Sequence, residues 1–124
     1  MNESHIQFTR STVQNFPGLK PLLDEHIKDN FGELLPTLFF GDLTRYIMAL
    51  LERAQWGELM PRRELKDLLQ YLEDSYASGD KNVQDLVALG FLENLPNPGE
   101  DGASIRNMLG PKLQTALRDL YKVE

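Results

Sequence analysis

Residues 38–56 read LFFGDLTRYIMALLERAQW and carry the longest apolar stripe in the sequence. Their apolar side chains recur every three or four positions, the spacing that places them on one face of an α-helix. The stretch therefore predicts a long helix that begins near Pro36, crosses Gly41 at a small cost in propensity and ends at Trp56. Asp42 leaves an alternative open, since it can cap a fresh helix after Gly41. The stripe consists of Leu38, Phe39, Leu43, Tyr46, Ile47, Leu50, Leu51 and Ala54.

The same spacing extends to both sides of this stretch. Pro61 opens a helix that Gly79 closes, and Asp80 caps the next one. Residues 1–15 leave two interpretations open, a weak helix or a loosely ordered segment. The turn residues of 94–102 predict a surface loop. The predicted helices cover residues 6–16, 19–27, 61–78, 81–95, 105–109 and 113–121, and Ser104 caps the fifth of them.

These patterns predict the fold class. No stretch alternates with period two and β-branched residues are few, so strands are not expected. The prediction is a single all-α domain over residues 1–124, built from five to seven short antiparallel helices. Helices 61–78 and 81–95 are joined by Gly79-Asp80, a connection short enough to make them neighbours. Residues 79–92 resemble one half of a HEAT-type repeat, which implies HEAT-like helix-pair packing.

Composition excludes several function classes. The chain has 124 residues, no cysteine and a net charge of −6. The missing cysteines exclude disulfides, cysteine-ligated metal sites and thiol catalysis. The negative charge argues against nucleic acid or an anionic membrane as the partner, because both are polyanions. The N-terminus shows no secretory signal and no apolar run is long enough for a membrane span, so a cytoplasmic location is expected.

The acidic residues are concentrated in one part of the chain. Residues 64–101 hold nine acids and two bases, a net charge of −7, whereas the remainder has a net charge of +1. If the polar faces of the two helices point the same way, they form a negative patch that steers a basic protein partner. The alternative is that these acids are solvated helix faces. The predicted contact residues are Asp67, Glu73, Asp74, Asp80, Asp85, Glu93, Glu100 and Asp101.

Motifs that carry chemistry are absent from the sequence. No phosphate-binding, dinucleotide-binding, zinc-protease or serine-hydrolase signature occurs. His26 has one carboxylate, Asp29, three positions on, and a metal site needs three or four ligands. The pair Glu73-Asp74 is interpreted as part of a solvent-exposed helix face rather than as a catalytic dyad. The sequence therefore predicts no catalytic residue, no metal and no cofactor, and hence no enzyme activity.

Two aromatic features have competing interpretations. Trp56, the only tryptophan, is expected to plug the edge of the core, and the alternative is an interface anchor, a role that Tyr76 could share. The cluster Leu38-Phe39-Phe40 is expected to belong to the core rather than to a ligand pocket.

Four phrases carry a family resemblance: FGELLP at 31–36, FFGDLTRY at 39–46, VQDLVALGFLENL at 83–95 and LGPKL at 109–113. With them the chain resembles a group of small, acidic, uncharacterised bacterial proteins. Proteins of this kind resemble the immunity partners of bacterial toxins. The resemblance implies an acidic protein that binds a basic, nuclease-type toxin domain and blocks it. The alternative is a helical adaptor that binds through apolar contacts and is nearly indifferent to salt.

Overall fold

A computed structural model describes residues 3–120, and these form α-helices and two short 3-10 turns without any strand. The all-α prediction is confirmed, and the number of helices agrees with it. Tyr121, which was predicted to extend the last helix, lies outside the described residues. The helices are α1 (Glu3–Asn15), α2 (Lys20–Asp29), α3 (Pro36–Gln55), α4 (Leu59–Ala77), α5 (Lys81–Gly90), α6 (Ile105–Met108) and α7 (Pro111–Leu120), with 3-10 turns at Pro17–Leu19 and Leu92–Asn94.

Helix α3 is the centre of the fold. It runs without interruption through Gly41, so the alternative of a fresh helix capped by Asp42 is wrong. Its apolar face is fully buried at Phe39, Phe40 and Leu43, so the prediction that the aromatic pair belongs to the core is confirmed. The same prediction is wrong for Leu38, which is 56% exposed because it lies at the start of α3, outside the packed face. Helices α4 and α5 both pack against α3 and against each other, as the predicted helix pair requires.

Two predicted helix ends are wrong. Helix α4 begins at Leu59, two residues before Pro61, because proline is tolerated within the first turn. Helix α5 ends at Gly90 instead of continuing to residue 95. The Gly90 carbonyl accepts hydrogen bonds from Thr44 Oγ1 at 3.0 Å and from Asn94 Nδ2 at 2.8 Å. These side chains thus supply hydrogen-bond donors to the last carbonyl of α5, and a separate 3-10 turn follows.

The N-terminal segment is helical from Glu3 onward and packs against the core. Thr12 is fully buried, and its Oγ1 bonds the Phe8 carbonyl at 2.8 Å and the Tyr71 hydroxyl at 3.2 Å. The ring of Phe8 stacks between those of Phe40 and Tyr71 at 5.6 and 5.9 Å. Helix α1 therefore closes the core over α3 and α4. Within residues 3–120, no helix combines the length and the apolar character that crossing a membrane would take.

Candidate functional site

The predicted acidic contact residues on α4 and α5 fall into separate local environments. Asp67 and Asp74 are exposed on α4, where Asp74 accepts a hydrogen bond from Gln70 Nε2 at 2.9 Å. Asp80 caps α5, as predicted, by accepting the N–H groups of Asn82 and Val83. Asp85 pairs with Lys81 Nζ at 2.8 Å, and this bond raises the pKa of the Lys81 ammonium. The carboxylates of Asp74, Asp80 and Asp85 are thus each bonded within their own helix.

The remaining predicted acids lie beyond α5. Glu93 is exposed in the second 3-10 turn. Glu100 and Asp101 are exposed in the loop that follows, and both lie beside α3 rather than beside α4. The Glu100 carboxylate accepts the Asn97 N–H at 2.6 Å, which fixes the tip of the loop.

The interpretation of Glu73 as a wet surface acid is wrong. Its side chain is only 8% exposed. The two carboxylate oxygens accept the N–H groups of Lys112 and Leu113, each at 3.0 Å. These are the unpaired amides of the first turn of α7, which attract negative charge. Glu73 is therefore the N-terminal cap of α7, supplied by α4, and it is not available to a partner.

The two predicted aromatic anchors differ in exposure. Trp56 is 81% exposed, so the expectation that it plugs the core is wrong. It lies at the end of α3, two positions beyond Ala54, and has left the apolar stripe. Tyr76 is half-buried and packs against the core. Of the two, Trp56 is the side chain that a partner can reach.

His26 is also placed differently from the prediction. It is 3% exposed, and its partner is Asp42 on α3, with Nδ1 and Oδ2 3.1 Å apart, rather than Asp29. The Leu35 N–H donates to Nε2 at 3.1 Å. Because Nε2 accepts, this network assigns the ring proton to Nδ1, which donates to Asp42. His26 therefore ties α2 to the start of α3.

A long groove follows the outer face of α3, and we call it the α3 groove. Adjoining depressions of about 350 to 620 Å³ share lining residues from one to the next. Helix α2 forms the wall beside the first half of α3, and the loop of residues 94–102 forms the wall of the depressions further along the helix. The floor follows a helical stripe along α3: Gly41, Arg45, Met48, Glu52 and Gln55.

The α3 groove is strongly acidic. Its acids are Glu25, Asp29, Asp42, Glu52, Glu100 and Asp101. Among residues 3–120, Arg45 is the one lysine or arginine that lines these depressions, and its guanidinium is bound to Asp42. Carboxylates that follow one another along a concave surface concentrate a negative potential. The arrangement can therefore hold a cationic group or a basic protein segment.

Of these acids, only Glu100 and Asp101 were predicted from the sequence as contact residues. The floor can be recognised in the sequence as the stripe opposite the apolar stripe of α3, since positions 41, 45, 48, 52 and 55 repeat at helical spacing. The sequence could not predict that Glu25 and Asp29 line the groove, because these acids come close to α3 only through the packing of α2.

Tyr46 joins α3 to α4 at one end of the groove. Its hydroxyl donates a hydrogen bond to the Glu64 carboxylate. Burial, and then this bond to a carboxylate, raise the pKa of Tyr46 from 10.0 to about 12. The phenol must stay protonated for the bond to exist.

We expect the free energy of unfolding to fall as the pH rises from 10.0 towards 12, because unfolded Tyr46 loses its proton before folded Tyr46 does. Below pH 10.0 this stabilisation is fully present. Tyr46→Phe should remove this part of the pH dependence. Urea unfolding at several pH values measures it, and the phenolate absorbance of the wild type minus the variant isolates Tyr46. A difference titration centred at 10.0 would contradict the buried hydrogen bond.

Within residues 3–120, no group of three or more side chains is placed to hold a metal ion. A family model described as a domain of unknown function (DUF7674) matches residues 10–122. No curated protein and no solved structure matches the chain.

Proposed function

We propose that this chain, which belongs to the DUF7674 family, is a protein-binding module whose α3 groove accepts a basic segment of a partner protein. The observation that carries the proposal is the concentration of six carboxylates around a groove that contains one arginine. The proposal assigns no catalytic step to the chain.

The dimensions of the groove suit a protein segment better than a small ion. From Gly41 to Gln55 the floor of the groove spans 14 helical steps, or about 21 Å at about 1.5 Å per residue. A partner helix of similar length, with lysine or arginine on one face, places a positive charge beside each wall. Electrostatic attraction of this kind speeds association and makes it dependent on salt.

The finer part of the proposal concerns the partner. A toxin that cleaves nucleic acid must attract phosphates and is therefore basic around its active site. An acidic groove that covers such a surface blocks it. We propose that the chain is an immunity protein for a toxin of this type, as its sequence resemblance implies.

A matched pair of variants tests which acids make the contact. The groove variant combines Glu25→Gln, Glu52→Gln and Asp101→Asn, three lining acids. The control variant combines Asp80→Ser, Asp85→Asn and Glu93→Gln, which removes the same charge from the α5 region and keeps a capping side chain at position 80. Both variants weaken the long-range field equally, so a difference between them reports the place of contact.

We expect a tagged wild-type chain to capture a basic partner from its native cells in about 50 mM salt and to lose much of it in about 300 mM salt. The groove variant should bind the purified partner at least about tenfold more weakly, and the control variant within about threefold of wild type. Equal weakening by the two variants would contradict the groove. Expression of the partner alone should arrest growth, and co-expression of the wild-type chain should restore it.

One observation favours the adaptor as the second candidate. Leu38 and Leu89 line one end of the groove and are 56% and 50% exposed. An apolar contact there would hold a partner without regard to salt. A neutral or acidic partner that stays bound in about 300 mM salt, with equal affinity for both variants, would support the adaptor and overturn the immunity proposal.

A further inference from the structure

The outer face of α4 carries a charge pattern that the α3 groove does not explain. Nine positions of α4 are exposed, and all except Arg62 form a stripe at helical spacing that we call the α4 stripe: Leu59, Met60, Arg63, Lys66, Asp67, Gln70, Asp74 and Ala77. The stripe is apolar and then basic in its first half, and acidic in its second half.

This order of charges is unfavourable for an isolated helix. Arg62 and Arg63 lie close to the N-terminus of α4, and Asp74 lies in the last turn. The helix macrodipole favours acids at the N-terminus and bases at the C-terminus, so these charges have the opposite arrangement. Neither the first nor the last turn of α4 carries a compensating charge. Within the chain, Arg62 donates to the Ala54 carbonyl at the end of α3, whereas no intrachain ion pair is seen for Arg63 or Asp74 among the described residues.

Exposed apolar side chains mark the same end of the helix. Leu59 and Met60 are 75% and 74% exposed, and Trp56 precedes them on the α3–α4 turn. A cluster of large apolar residues on a surface indicates an interface rather than a solvated face. The opposite end of the stripe has Ala77, a small residue over which a large side chain can lie.

We infer that the α4 stripe pairs with the same stripe of a second copy of this chain, with the two helices antiparallel about a twofold axis. The stripe is self-complementary in this orientation alone. An axis near the middle of α4 places Arg63 of each copy opposite Asp74 of the other. The same register sets Met60 against Ala77 and Asp67 against Gln70. Each copy contributes the same patch, as a twofold interface requires.

The size of the stripe indicates a weak dimer. Helix α4 has 19 residues and is therefore about 28 Å long at about 1.5 Å per residue. Its exposed stripe supplies fewer than the roughly 20 residues per side of a standard interface. We expect dissociation constants of micromolar order. The pairing does not use the α3 groove and does not rest on the proposed function.

Sedimentation equilibrium with exchanged charges tests the pairing. Arg63→Glu sets two acids against each other at both ends of the interface, and Asp74→Arg does the same with two bases. Each single variant should dimerise at least about tenfold more weakly than wild type. An equimolar mixture of the two should associate again, because the acid introduced at position 63 of one variant then faces the base introduced at position 74 of the other. Lys28→Glu, an equal charge change at an exposed position of α2, should leave the dimer unchanged.

Three results would overturn the inference. The wild-type chain could remain monomeric at several hundred micromolar, far above the range expected for an interface of this size. The single variants could dimerise as well as wild type. The mixture of the two variants could stay monomeric, which would exclude the antiparallel register. Circular dichroism of each variant verifies that a loss of association does not reflect a loss of folding.

Discussion

Gly90→Ala is expected to destabilise the protein by about 2 kcal/mol, because α3 and α5 touch at this residue. A Cβ at position 90 would lie 2.4 Å from the Cβ of Phe40 and 3.3 Å from the Thr37 carbonyl oxygen. Real Cβ atoms do not approach a neighbour so closely. Phe40 is fully buried and its Cβ is fixed by the helix, so the two helices must separate.

The separation has a second cost at the same place. The Gly90 carbonyl accepts a hydrogen bond from Thr44 on α3, and this bond lengthens if α5 moves away from α3. Alanine recovers only about 1 kcal/mol through its better helix propensity. Overpacking of a rigid core costs about 1–3 kcal/mol, and the weakened bond adds about 1 kcal/mol.

Gly41→Ala is the matched control for this prediction. Gly41 also lies within a helix, but a Cβ there meets only Asn94 Nδ2, at 3.8 Å. Alanine at position 41 should therefore leave the protein unchanged or stabilise it by up to about 1 kcal/mol. Urea unfolding of both variants measures the two changes in the free energy of unfolding. Equal stability of Gly90→Ala and wild type would contradict the close packing of α3 on α5.

The sequence predicted the helices well because their determinants are local. The stripe of α3, the cap of Asp80 and the loop of residues 94–102 each depend on residues within a few positions of each other. Of the two ends that failed, the start at Leu59 is local, since a proline can stand within a first turn, whereas the end at Gly90 depends on another segment. Helix α5 stops where Thr44 and Asn94 bond its last carbonyl, and Thr44 is 46 residues away from Gly90.

The candidate site was harder to predict for the same reason. The carboxylate of Glu73 and its partners Lys112 and Leu113 are separated by 39 and 40 residues. From the sequence, Glu73 and Asp74 are two similar acids on one helix, and only packing distinguishes the buried one from the exposed one. The loop acids Glu100 and Asp101 were predicted as contact residues, but their neighbourhood beside α3 was not. A charge count along the chain cannot show which acids face a common groove.

Glu73→Gln is expected to cost about 2–3 kcal/mol of stability, with the loss concentrated in α7. The carboxylate now accepts two amide hydrogens, at 3.0 Å each. A glutamine amide offers one acceptor oxygen, and its NH₂ group would face the second N–H as a donor. Hydrogen bonds to a charged acceptor contribute about 1.5–3 kcal/mol each, and the charge also stabilises the N-terminus of the helix.

A substitution at position 110 tests the cap of α7 independently. A Cβ on Gly110 would lie 2.4 Å from Cδ of Glu73, so Gly110→Ala should displace the carboxylate and weaken α7 in the same way. Asp67→Asn is the control, since it removes an equal charge from an exposed position of α4. It should change stability by less than about 0.5 kcal/mol.

Hydrogen exchange distinguishes the cap from a general loss of stability. If Glu73 caps α7, the amides of Lys112 and Leu113 should exchange faster in Glu73→Gln and in Gly110→Ala, while the amides of α3 keep their protection. Uniform loss of protection would mean that the carboxylate stabilises the whole core. Unchanged protection in α7 would mean that the carboxylate does not hold the helix and would contradict the cap.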